Sequence, residues 1–207
     1  TFTGIVNDGD IITVSGQNNG CTTTPLTSYQ FTVNTYPTLT SSSSSPTNTI
    51  CIDELVTFNA SGASTYLFEL NGVAVQNGIS SSFNTDQLEN ADLISITGFN
   101  GDCPSTADDY LFTVNEMALS LTANPGNLIC EGTSVTFTAN GSDNYQFFVN
   151  GNSMGAMSTT NTYTASAFSN MDEVTFTGAS NTTLCNQNFN DFITMNIIDE
   201  PVISANT

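Results

Sequence analysis

The chain has 207 residues, 19 of them acidic, with no Lys, Arg or His and a net charge of −19. With no cation to set against phosphates, nucleic-acid binding is excluded, as is attraction to anionic lipid head groups. The same absence removes the usual general base and the usual activators of Ser and Cys nucleophiles. Carboxylate-only chemistry of the glycosidase kind needs none of these, but no Asp-Thr-Gly or Asp-Ser-Gly signature occurs, and the chain is expected not to be an enzyme. No apolar run approaches the ~20 residues of a membrane span, and no signal peptide is read; direct membrane insertion is not expected.

Taken in chain order, the predicted elements are all strands. NDGDIITVSGQNNGC (7–21) leads into YQFTVN (29–34). LTSSSSSP (39–46) reads at first as a flexible linker, but Pro46 aligns with Pro125 of ALSLTANP (118–125), so a frayed, Ser-rich edge strand is the better reading. ICIDELVTFNASGASTYLFELNG (50–72) follows. Val56, Phe58 and Ala60 alternate with polar residues, then Tyr66, Phe68 and Leu70 run up to Asn71-Gly72, a hairpin-turn pair. NADLISITGFNGDC (90–103) and YLFTVN (110–115) complete the stretch.

The same order then recurs. ICEGTSVTFTANGSDNYQFFVNG (129–151) shares Ile, Cys, Val, Thr, Phe, Ala, Gly, Tyr, Phe, Asn and Gly with 50–72, 11 identities in 23 ungapped positions at an offset of 79 (130 − 51). Val135, Phe137 and Ala139 again face one way, and Tyr145, Phe147 and Val149 precede Asn150-Gly151. NMDEVTFTGASNTTLC (170–185) repeats 90–103, with Gly178 in the place of Gly98, and FITMN (192–196) repeats the last strand. No segment has a helical period.

The fold expected is all-β: tandem immunoglobulin-like β-sandwich repeats of about 80 residues and seven strands, with one disulfide per repeat. The domains expected are 1–35, the C-terminal part of one repeat; 36–116 and 117–197, two complete repeats; and 198–207, the start of the next. The chain is thus expected to be a piece of a longer array. Only Glu116 and Met117 are left between successive repeats, so a semi-rigid rod is expected.

The five cysteines fall into two classes. Cys51 and Cys130 precede the second strand of a repeat; Cys21, Cys103 and Cys185 follow the penultimate one. Metal ligation is disfavoured by the lack of His and of C-x-x-C spacing, and reduced structural cysteines are the plainer alternative. Repeat register favours Cys51–Cys103 and Cys130–Cys185, with Cys21 unpaired, each bridge closing a loop worth roughly 4 kcal/mol. The rival scheme pairs Cys103 with Cys130 and Cys21 with Cys51, leaving Cys185 over.

ICEGTSVTFTANGSDNYQFFVNG, the later TYTAS and the closing Cys-to-ITMN stretch resemble the Ig-like/PKD-like tandem repeats of giant Bacteroidota cell-surface adhesins, over nearly the whole chain. The resemblance implies export by the type IX secretion system, an extracellular, outer membrane-associated location, a role in gliding motility, and a filament that contacts the substratum. The implied partners are neighbouring repeats of the same chain, the type IX secretion and gliding machinery, and surface polysaccharide.

Two further readings stand beside an adhesive filament. One is a carbohydrate-binding or spacer module of a large secreted hydrolase. Trp is absent, so Phe148 and Phe99 would be the sugar-stacking candidates, with packing under a loop as the alternative. The other concerns metal. Asp8-Gly9-Asp10, Asp108-Asp109 and Asp172-Glu173 offer oxygen ligands for a structural calcium, but no EF-hand loop is present, and acids that serve solubility are the simpler reading. No cofactor is expected. The Lys–Asn isopeptide bonds that lock many stalk domains cannot form without Lys, leaving disulfides as the covalent staple.

Overall fold

A computed structural model describes residues 3–24 and 28–198 of the chain; most of the expected next repeat, 199–207, lies outside them. Among the described residues there is no helix. The chain divides into two compact units: the first takes the residues up to Asn48 with Leu55–Thr85 and Ala91–Phe112, the second takes Thr49–Glu54, Asp86–Asn90 and the chain from Thr113 on. The units therefore cut the chain differently from the sequence repeats.

Near the start, β1 (Ile11–Thr13) pairs antiparallel with β4 (Ser28–Gln30), and β2 (Gln17–Asn18) with β3 (Cys21–Thr22). The middle repeat supplies β5 (Thr40–Ser43), β6 (Thr49–Cys51), β7 (Val56–Ser61), β8 (Thr65–Leu70), β9 (Val73–Gly78), β10 (Ser82–Thr85), β11 (Leu93–Asn100), β12 (Cys103–Thr106), β13 (Tyr110–Leu111) and β14 (Thr113–Asn115). The last repeat supplies β15 (Ser120–Asn124), β16 (Leu128–Cys130), β17 (Val135–Asn140), β18 (Asn144–Val149), β19 (Asn152–Ser153), β20 (Thr162–Ala165), β21 (Glu173–Ala179), β22 (Asn186–Asn188), β23 (Ile193–Thr194) and β24 (Asn196–Ile198).

In the first unit a three-stranded sheet, β10-β7-β5, faces a second sheet ordered β12-β11-β8-β9, with β13 also on β11. The alternation in the sequence becomes burial. Val56 and Phe58 are fully buried on β7, Phe68 on β8, Ile94 and Ile96 on β11. Phe68 on β8 meets Phe83 on β10 across the sheets at 5.8 Å between centroids, and Phe58 meets Phe112, just past β13, edge-on at 5.7 Å. Burying each such side chain is worth ~1.5–3 kcal/mol. The Ser-rich segment is an edge strand, β5, its register running from Thr40 opposite Ser61 to Ser43 opposite Phe58.

The second unit holds the same arrangement, with β15-β17-β20 against β19-β18-β21-β22 and β23 also on β21. Its core is Ile129, Val135, Phe137, Ala139, Tyr145, Phe147, Phe168, Val174, Phe176 and Met195. It also contains two short parallel pairs, β6 with β14 and β16 with β24. In the second unit two antiparallel sheets, with the parallel pairing of β16 and β24 beside them, make an immunoglobulin-like sandwich, and the sheets of the first unit have the same strand order. Residues 7–24 and 28–34 keep a matching bond: Phe31 N–H donates to Asp10 O as Phe112 N–H does to Asp92 O. Phe31 is nonetheless 36% exposed where Phe112 is 1%.

Several structural details repeat and explain why particular residues recur in the sequence. Gly62 and Gly141 both have φ +95, and a Cβ there would fall 2.0 and 2.1 Å from the carbonyl oxygens of Thr38 and Ala118. Gly98 and Gly178 leave room for Leu39 and Leu119 respectively. Asn71 and Asn150, at positive φ in their turns, each donate from Nδ2 to an aspartate, Asp92 at 2.7 Å and Asp172 at 2.8 Å. Each also accepts, at Oδ1, the N–H of the residue after that aspartate. Tyr66 and Tyr145 hydroxyls donate to the carbonyls of Ala63 and Ser142, three residues back.

The structure corrects the sequence register in two places. Leu39 is the counterpart of Leu119, not of Ala118, because each fills the space above its repeat's glycine. In the last strand, Asn115 lies opposite Cys51 while Ile198, not Asn196, lies opposite Cys130. That second shift is two residues, which preserves the inward-facing set.

Candidate functional site

The cysteines are the reactive side chains the fold places most specifically. Cys51 ends β6, and the parallel pairing sets it beside Asn115 at the end of the last strand; Ile52 N–H then donates to Asn115 O at 3.0 Å. Cys185 lies in the loop after β21, 3% exposed, with its carbonyl accepting Ser180 N–H at 2.9 Å. Cys51 and Cys185 are joined by a disulfide with Cα atoms 5.5 Å apart at a sequence separation of 134. Met117 N–H donates to Gln187 Oε1 at 2.6 Å close by in the chain, fixing the segment between β14 and β15 to β22.

This overturns the expected pairing. Cys51–Cys103 and Cys130–Cys185 are not formed: among the described residues Cys21, Cys103 and Cys130 are thiols, and the bridge joins a cysteine of one sequence repeat to a cysteine of the next. The reason is visible within the second unit. Cys130 sits opposite Ile198, and β24 follows directly on β23, which pairs with the start of β21 at Glu173 and Val174. Cys185 follows the other end of β21, where Ala179 pairs with Asn186. Seven extended residues separate those ends, roughly 20 Å at the strand rise. A disulfide needs Cα atoms within about 7 Å. The two cysteine classes therefore occupy opposite poles of a repeat, and the pairing that repeat register favours is out of bridging reach.

The other candidates are not brought together. Phe148 and Phe99 are each half-buried, in β18 and β11, opposite Thr175 and Thr65 respectively. Neither heads an aromatic cluster. The paired acids are committed to backbone: Asp8 Oδ1 accepts Val33 N–H at 2.9 Å, Asp10 Oδ2 accepts Asn7 N–H at 2.7 Å, and Asp172 Oδ2 accepts Ser169 N–H at 2.8 Å. Asp108, Asp109 and Glu173 are exposed. Among the described residues no three His, Cys, Asp or Glu side chains converge on one point. Burial pushes the Tyr163 hydroxyl above its ordinary pKa; its ring stacks on Phe137 and Phe147 within the core.

A concavity of about 490 Å³ in the first unit is lined by Leu39, Thr40, Ser41, Thr106, Ala107 and Asp108. It holds a single carboxylate and no paired acid and base. What the sequence reading missed is the Asn–Asp clasp, Asn71 with Asp92 and Asn150 with Asp172: the asparagines read there only as turn residues. Their common offsets, 79 (150 − 71) and 80 (172 − 92), were the available signal.

No family model matches the chain, and no curated protein does. Among solved structures, the fibronectin(III)-like modules of CbhA from Clostridium thermocellum are similar over 81% of this chain and 100% of theirs, at 10% identity and a TM-score of 0.35. The sandwich assignment rests on the strand pairing itself, and the chain's built site is a disulfide joining two repeats.

Proposed function

We propose that this chain is a non-catalytic segment of a long repetitive cell-surface adhesin: a stalk that spaces and presents adhesive surface in gliding motility. In this reading the protein is exported by the type IX secretion system and is anchored outside the outer membrane. Its partners are neighbouring repeats of its own array, the secretion and gliding machinery, and surface polysaccharide. The observation that carries the reading is the covalent tie between Cys51 and Cys185. A bridge between sequential repeats resists their separation, as a stalk under tension requires, and disulfides persist in oxidising, extracellular surroundings. The absence of Lys, Arg and His supports a scaffold rather than a catalyst.

The test is surface labelling with function. Antibodies raised against residues 36–197 should label intact cells, and their monovalent fragments should reduce attachment to glass. Labelling confined to permeabilised cells would overturn the location. Unchanged attachment with saturated surface label would overturn the adhesive role.

A further inference from the structure

We propose that Cys103 and Cys130 are the two halves of the same tie, each built to take a cysteine from another copy of this repeat. Cys130 would bridge to the loop cysteine of a repeat docked on its C-terminal side, and Cys103 to the strand-end cysteine of a repeat docked on its N-terminal side. The inference rests on the tandem-array part of the reading above and is independent of adhesion.

Cys130 occupies the position of Cys51. Each ends a short strand paired in parallel with the last strand of its repeat, Cys51 opposite Asn115 and Cys130 opposite Ile198. The flanking bonds match: Ile52 N–H to Asn115 O at 3.0 Å and Glu131 N–H to Ile198 O at 3.2 Å; Glu54 N–H to Cys51 O at 3.2 Å and Thr133 N–H to Cys130 O at 3.1 Å. Cys51 is bridged and Cys130 is an exposed thiol. One bond differs: Cys51 N–H donates to Glu54 Oε2 at 3.0 Å, where the residue matching Glu54 is Thr133.

Cys103 is the sequence counterpart of Cys185, though it opens β12 where Cys185 lies in a loop. Its sulfur donates to the carbonyl of Asn34 at 3.5 Å. Asn34 closes YQFTVN as Asn115 closes YLFTVN, and Asn115 is the residue that lies beside Cys51 in the bridged site. Asn100 Nδ2 donates to Thr35 O at 3.4 Å, holding the loop of Cys103 against the residue after that strand. Cys103 thus already touches the strand end beside which a cysteine of the Cys51 class would pair. In the proposed tie a strand of the Cys51 class lies parallel beside Asn34.

Each bridge forms by two exchanges with a disulfide oxidant. One thiolate attacks the oxidant's S–S bond and is held as a mixed disulfide. The second thiolate then displaces the oxidant's other sulfur. Two protons leave the thiols, and two electrons reduce the oxidant to a dithiol. In an array tied this way every repeat is bridged at both poles to its neighbours.

The test is peptide mapping of the intact protein from its source, alkylated before lysis and digested without reduction by a protease of broad specificity. Cys130 should be recovered joined to a loop-class cysteine peptide and Cys103 to a strand-class one, with neither alkylated. Electrophoresis with and without reductant then reads whether the partner copy lies in the same chain or in a second one. In the Cys130→Ser protein a loop-class cysteine should become alkylated, which excludes mere inaccessibility. Further repeat peptides recovered with Cys103 and Cys130 alkylated would overturn the tie and leave the array standing. Cys103 joined to Cys130 would also overturn the tie, and the absence of any further repeat would sink both.

Discussion

Replacing Cys185 by Ser removes the one bridge of the described chain and gives the sharpest test of its place. The bridge closes a loop of 134 residues. In the chain-entropy model such a loop constrains the unfolded state by about 5 kcal/mol, an upper figure since measured values run from about 0 to 5. The loop takes in β7 to β21, so both sandwiches unfold more freely without it. Urea unfolding followed by tyrosine fluorescence should show Cys185→Ser and the reduced wild type sharing a midpoint well below that of the unreduced wild type. Thiol titration of the 207-residue chain in denaturant supplies the count. The unreduced wild type should show three thiols, Cys21, Cys103 and Cys130, and Cys185→Ser should show four, since Cys51 is released (3 + 1). One thiol in the unreduced wild type, with Cys130 rather than Cys51 released in Cys185→Ser, would restore the in-repeat pairs and refute the argument from opposite poles. Coincident midpoints for all three samples would refute the energetic part.

Three further outcomes follow from packing. Phe58→Ala removes a fully buried ring that meets Phe83, Tyr110 and Phe112 and should cost about 3–5 kcal/mol, while Phe148→Ala, on a half-buried outward position, should cost far less; equal losses in denaturation would mean the facing of β18 is misassigned. Gly98→Ala sets a Cβ 2.7 Å from Leu39 Cδ1 and from Ala63 Cβ and should cost roughly 1–3 kcal/mol by overpacking. Gly72→Ala meets nothing within 4 Å but sits at φ +76, so only the left-handed penalty of roughly 1–2 kcal/mol applies; thermal melts of the pair separate the two causes. Asn150→Ala strips the bonds to Asp172 and Glu173 and puts alanine at φ 51, for about 2–3 kcal/mol in all. An unmoved melting temperature there would show the clasp to be incidental.

Much of the fold was legible because it is local. Strand alternation named Val56, Phe58, Tyr66 and Phe68, and their counterparts Val135, Phe137, Tyr145 and Phe147, as inward-facing, and all eight are buried. The Asn-Gly pairs marked turns because left-handed backbone favours those residues. The all-acid composition excluded whole classes of chemistry with no structure at all. Repeat comparison also sorted the cysteines into two classes, since equivalent positions in a repeat share equivalent surroundings.

What repetition in sequence could not supply is which pole each class occupies. That is decided by the parallel pairing of β6 with β14 and of β16 with β24, contacts between strands more than 60 residues apart (113 − 49 and 196 − 128). Parallel pairing carries the end of an early strand to the end of the last one, so Cys51 arrives where its repeat finishes, and the strand length of β21 puts the loop cysteine at the other end. The one-residue shift at Leu39 and the two-residue shift at Ile198 have the same origin. Offsets read from identities record where residues are alike, whereas strand register answers to the packing of Leu39 over Gly98 and of a last strand against an early one. The sequence by itself determined the class of fold, the core and the kinds of cysteine; tertiary pairing alone decided that the bridge runs from one repeat to the next, because a disulfide answers to distance in space and not to membership of a repeat.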